Sequence, residues 1–148
     1  MASQTVSHLL GTLQEDPENT EALQGIAQLV SNGATEVDEE SERMLEKARA
    51  GHDARAEFRA VAQLLEVQAA MSVTTDPDRA ATFYVELGRI HREELLDDES
   101  AKRAYVQAAE LRPGDESIQD TIAQIEQTAE KWGDIVKRFI DEAESASD

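Results

Sequence analysis

The 148-residue chain contains no cysteine, which excludes disulfide frameworks, iron–sulfur clusters, thiolate zinc sites and cysteine nucleophiles. Basic residues are scarce: 14 Lys and Arg stand against 32 Asp and Glu, a formal charge of −18. Phosphate recognition draws on lysine and arginine clusters that release counterions, and anionic membrane surfaces select the same residues. Neither nucleic acid nor membrane is therefore an expected partner. Aromatic side chains number six (Phe58, Phe83, Tyr84, Tyr105, Trp132 and Phe139), so the core is expected to be mostly alanine and leucine. No apolar run approaches the roughly 18 residues that span a bilayer. Residues Met1 to Leu13 lack the basic region and apolar stretch of a secretory signal, so a cytoplasmic protein is the expectation.

The charge is unevenly spread. Residues 1–42 contain nine acids and no base, and the remaining 106 residues carry 14 bases and 23 acids. An acidic arm for a basic partner is one reading of the first segment, and a solvated face that aids solubility is the other.

Three prolines and seven glycines fall at intervals along the chain. Pro17, Pro77 and Pro113 each follow Asp or Arg ahead of a periodic apolar segment, where proline's fixed φ is tolerated. Gly33, Gly51, Gly114 and Gly133 lie between such segments and suit helix ends or turns. Apolar spacings of three and four predict about eight helices, at 2–14, 18–31, 35–50, 53–72, 77–96, 98–111, 115–130 and 133–145. The fourth carries two stripes: Phe58, Val61, Ala62, Leu65 and Ala69 form one, and Leu64, Val67 and Met71 form another. A helix apolar on two sides is sandwiched, whereas the narrower stripes of the first and last helices suit the ends of a stack.

From Tyr84 the chain reads Tyr84-x2-Leu87-Gly88-x2-His91, then Ala101-x3-Tyr105-x2-Ala108-x4-Pro113. This resembles the tetratricopeptide repeat, a helix–turn–helix unit of about 34 residues. Small Gly88, Ala101 and Ala108 would let paired helices approach while Tyr84 and Tyr105 fill the space between pairs. The resemblance is best over 81–142, weaker over 17–50 and poor over 53–75, where the alternation loses phase. In it, Lys131-Trp132-Gly133-Asp134 reads as a turn in which Trp132 packs against the seventh helix, the alternative being an exposed anchor for a partner. The implied fold is all-α, a right-handed stack of antiparallel helix pairs (an α-solenoid) in one domain, 1–148.

Chemistry-bearing motifs are absent. His91-Arg92-Glu93-Glu94 lacks the second histidine of a metallopeptidase helix, and His8 and His52 are isolated from it. Asp97-Asp98-Glu99 and Asp38-Glu39-Glu40 lack the alternating ligands and glycine of a calcium loop and read as acids at helix starts. No nucleophile elbow, phosphate loop or dinucleotide turn is present. No catalytic residue, metal or cofactor is expected; an enzyme built on carboxylates and His91 is the remote alternative.

The resemblance implies binding of a peptide or partner helix along a concave groove lined by the first helix of each repeat. Carried over residue by residue, this points to Gln24 and Gln28, to Thr82, Val85, Arg89 and Arg92, and to Asp120, Gln124 and Gln127. Arg89 and Arg92 would hold a carboxylate through forked hydrogen bonds, unless they pair with Glu86 and Glu93 on their own helix. Val85, Arg89, Asp120 and Gln124 occupy the positions where some members of the family carry a lysine and asparagine clamp for chaperone tails, so that clamp is not expected. The alternative function is self-association, a homodimer through the Leu64, Val67 and Met71 face of helix 53–72.

Overall fold

The computed structural model describes residues 6–16, 19–31 and 39–146. Among them the chain forms seven α-helices and no strand: α1 Val6–Glu15, α2 Thr20–Ser31, α3 Glu39–Ala54, α4 Phe58–Ser72, α5 Pro77–Glu93, α6 Asp98–Leu111 and α7 Glu116–Ala146. The expected helix starts at 2, 18 and 35, together with Pro17 and Gly33, lie outside the described residues. No described helix is long and apolar enough to cross a membrane.

Helix starts follow the acids. Asp76 Oδ1 accepts from the Arg79 N–H at 3.1 Å, with Pro77 the first residue of α5. Asp97 accepts from the Ser100 N–H at 3.1 Å and from its hydroxyl at 2.7 Å to open α6. Asn19 caps α2 by accepting from the Ala22 N–H at 2.9 Å. Each cap satisfies an otherwise orphaned amide, and the two aspartates also place negative charge at the positive end of the helix dipole. The Asp97 run is thus structural at its first residue.

Two boundaries depart from the sequence reading. The chain breaks at 55–57, so residues 53 and 54 finish α3 and α4 opens at Phe58. The break runs through Ala56, whose φ is 57°, a left-handed conformation that costs a non-glycine residue about 1 kcal/mol. The turn expected at 131–134 does not form: the two helices expected at 115–130 and 133–145 are one 31-residue helix, α7. Apolar positions run Ile118, Ile122, Ile125, Ala129, Trp132, Val136, Phe139, Ala143, alternating steps of four and three across Gly133 without interruption. Glycine within a helix costs about 1 kcal/mol, which is not enough to end a helix whose stripe continues on both sides.

Three apolar clusters form the core. The first packs Leu9, Leu10 and Leu13 of α1, Leu23 and Ile26 of α2 and Leu45 of α3 against Leu64, Val67 and Met71 of α4. The second packs the other stripe of α4, Val61, Ala62, Leu65 and Ala69, against Phe83, Leu87 and Ile90 of α5 and Ala104 of α6. The third joins Ala101, Tyr105 and Ala108 of α6 to Ile118 and Ile125 of α7. Both stripes read from the sequence of α4 are thus present, and both are covered within the chain. Leu64 and Val67 are almost fully buried and Met71 is 8% exposed, so the face expected to seat a homodimer is occupied by α1, α2 and α3.

The α5–α6 pair is the tightest approach. A Cβ on Gly88 would come within 2.7 Å of the Tyr105 ring, and Ala101 and Ala108 are fully buried. At the open end, Arg112 at the close of α6 donates from Nε to Asp78 Oδ1 at 2.7 Å and from Nη2 to Thr82 Oγ1 at 2.6 Å and to the Asp78 carbonyl at 2.8 Å, all on α5.

Denaturant unfolding of three variants checks this arrangement. Gly88→Ala is expected to lose about 1–3 kcal/mol because the Tyr105 ring must move. Leu65→Ala should lose about 2–5 kcal/mol through the cavity it leaves, whereas Ala56→Gly should gain on the order of 0.5–1 kcal/mol by relieving the left-handed φ.

Candidate functional site

The residues expected to line one groove stand in three separate places. Gln24 and Gln28 are exposed on α2. Helix α4 packs against both α2 and α5, which share no substantial interface with each other, so these glutamines are set apart from the α5 group. On α5, Thr82 is exposed but engaged by Arg112 at 2.6 Å, and Val85 is half-buried against the third cluster. Arg89 pairs with Glu86 and, at 3.2 Å, with Glu93 on its own helix. That pairing holds the Glu86 carboxyl below the usual range, the hydrogen bond from Arg89 outweighing partial burial. Arg92 is half-buried and makes no ion pair among the described residues. Asp120, Gln124 and Gln127 are exposed on α7, roughly half a turn from the buried Ile118 and Ile125. Among the described residues no hydrogen bond or ion pair links the α2, α5 and α7 groups.

His91 lies in a cleft of about 480 Å³ between α4, α5 and α6, lined by Glu66, Tyr84, Leu87, Ser100, Arg103, Ala104 and Gln107. Its Nδ1 is buried without a hydrogen-bond partner among the described residues. Burial pulls the imidazole below its ordinary value of 6.5, against the opposing charges of Asp97 and Glu66. This is a histidine whose burial between helices favours the neutral imidazole. Among the described residues no three His, Asp or Glu side chains are grouped to share a metal ion. His52 is almost fully buried, with Nδ1 3.2 Å from Glu57 Oε1 and Nε2 unpartnered among the described residues.

The sequence offers Trp132 as an exposed anchor only in the alternative reading, and not the strip that extends from it along α7. Trp132 is not packed in a turn; it stands 62% exposed on the helix surface, with Val136 (53%), Phe139 (66%) and Ile140 (53%) beside it. Four large apolar side chains within nine residues form a contiguous exposed strip, and such strips mark contact surfaces. The signal was available: the alternating steps of four and three put Ile118, Ile125, Trp132 and Phe139 on one line of the helix. Gly133, which resembles a helix terminator, interrupts this line in sequence but not in the helix.

No family model, curated protein or solved structure matches the chain.

The neutral His91 gives a pH dependence whose sign is fixed. Its folded pKa lies below the unfolded value of 6.5, so its contribution is present above pH 6.5 and is lost as pH falls through the folded pKa. Thermal melts from pH 7 down to about 5 should therefore fall more steeply for the wild type than for His91→Tyr. Parallel slopes would show that His91 titrates in the folded state as it does in the unfolded one.

Proposed function

We propose that the protein is a tetratricopeptide-like helical module that binds another protein, without catalysis. The observation that carries this reading is the exposed strip Trp132, Val136, Phe139 and Ile140 on a helix whose other half is already locked into the core through Ile118 and Ile125. A pre-formed helix presenting aromatic anchors loses little conformational entropy on binding, and tryptophan is enriched among residues that dominate interface energies. The α5–α6 pair supports the repeat-like reading through the contact of Gly88 with Tyr105 and the burial of Ala101 and Ala108. The same surface on α7 favours partner binding there over the Arg89 and Arg92 wall, since Arg89 is already neutralised by Glu86 and Glu93.

Immobilised wild-type protein, Phe139→Glu, and Arg89→Glu with Arg92→Glu would be exposed in parallel to lysate of the source cells, and retained proteins identified by mass spectrometry. Proteins retained by the wild type and the arginine variant but lost by Phe139→Glu are the expected result. Loss only in the arginine variant would assign binding to the groove instead. Identical retention by all three, each shown folded by circular dichroism, would overturn the reading.

A further inference from the structure

We propose that residues 132–146 are a docking strip for a helical hairpin built like α5–α6 and supplied by a partner chain; this rests on the interaction reading and names the kind of partner. The protein contains its own template for the contact. Shifted by 74 residues, from 58 to 132, the α4 positions that face α5 fall on α7: Phe58, Val61, Ala62, Leu65 and Ala69 become Trp132, Ile135, Val136, Phe139 and Ala143. All five are apolar in both segments. On α4 they are covered by Phe83, Leu87 and Ile90 of α5 and by Ala104 of α6. On α7 three of them, Trp132, Val136 and Phe139, are more than half exposed.

The second stripe of α4 decides which neighbour is expected. Leu64, Val67 and Met71, which meet α1, α2 and α3, correspond to Arg138, Asp141 and Ser145. Cover of the α1–α3 kind has no apolar counterpart there, so only the α5–α6 side of the template is reproduced. The strip also continues an interface already made. Helix α6 covers the seam at Ile118 and Ile125, and the Lys102–Glu126 ion pair at 3.0 Å lies near its first turn. Past that point the same heptad line runs on uncovered, and a sustained heptad is the pattern that another helix packs against.

Side-chain size sharpens the partner's description. Trp132, Ile135, Val136 and Phe139 are each larger than their α4 counterparts. A helix seated on them therefore carries a residue smaller than phenylalanine where α5 carries Phe83, because interiors pack to constant density. A second copy of this chain is the less suitable occupant. Each copy carries −18, and the strip is flanked by Asp134, Asp141, Glu142 and Glu144, so a symmetric pairing would set acid against acid.

The test extends the full chain so that Ala146 is followed directly by a second copy of residues 73–112, with leucine at the copied Phe83 position. Trp132 is the only tryptophan, and the added segment contains none, so its fluorescence reports the strip alone. The expected result is a blue shift of Trp132 emission and loss of acrylamide quenching relative to the unextended chain. Both should revert when Phe139→Glu is introduced into the extended chain, with the melting of the rest retained. Trp132 remaining as accessible as in the unextended chain would overturn the proposal. So would a concentration-dependent blue shift of the unextended chain accompanied by a dimer mass in sedimentation, which would make a second copy the occupant. If the extended chain shows no docking while Phe139→Glu still abolishes partner capture, the hairpin falls and the interaction reading stands.

Discussion

Leu64 and Leu65 are adjacent, both fully buried, and point about 100° apart around α4 into two different clusters. The rest of the structure depends on this arrangement. Nine of the 15 residues of α4 are buried, so it is a buried helix rather than a surface one. Its Leu64 side closes the cluster of α1, α2 and α3, and its Leu65 side closes the cluster of α5 and α6. Fully burying a leucine is worth about 1.5–3 kcal/mol, so each side of α4 anchors a cluster that neither neighbouring group of helices could complete alone. The buried amide of Gln68 is satisfied on one side: Nε2 donates to Glu46 Oε2 at 2.8 Å, while Oε1 is buried with no hydrogen-bond partner among the described residues. Glu46 is kept ionised for that bond, its carboxyl held low chiefly by Arg49.

The large negative charge has a different role from the core. Asp76, Asp97 and Asp115 act at helix starts, Asp115 by accepting from the Ser117 N–H at 3.0 Å. Many ion pairs are local, as between Arg89 and Glu86 or Arg49 and Glu46, and exposed pairs of this kind contribute little stability. Arg112 is different because it joins residues 34 apart in sequence, Arg112 and Asp78, and so fixes α6 against α5 at the end opposite the α5–α6 loop. Apolar burial holds the helices together, while acids mark where they begin and keep the surface hydrated.

Much of this was legible in order. The all-helical class, the positions of α5 and α6, the end of α4 and its two stripes, and the close approach at Gly88 follow from spacing, caps and small residues. What was not legible depended on neighbours. Ala56 is a good helix former, and nothing local announces that it adopts a φ of 57°. The break at 55–57 arises because α4 must turn to bury both stripes. Gly133 presents the opposite error: it resembles a terminator yet sits inside a continuous helix. The groove positions follow only from the resemblance to a repeat, whereas Arg89 pairs with acids on its own helix, as spacings of three and four allow.

Segments 58–72 and 132–146 therefore share one apolar stripe and differ in the other. In the first, folding back at 55–57 lets Leu64, Val67 and Met71 bury against α1, α2 and α3, which more than offsets the strained Ala56. In the second, the corresponding positions are Arg138, Asp141 and Ser145, so a reversal would bury charge and gain no apolar contact. The helix stays straight because nothing rewards bending it. Straightness carries its own cost, since Trp132, Val136 and Phe139 are left in water. Side chains of this size leave water only by contact with something outside the segment, and on that ground the binding proposed above is placed at the strip rather than at the charged wall of α5.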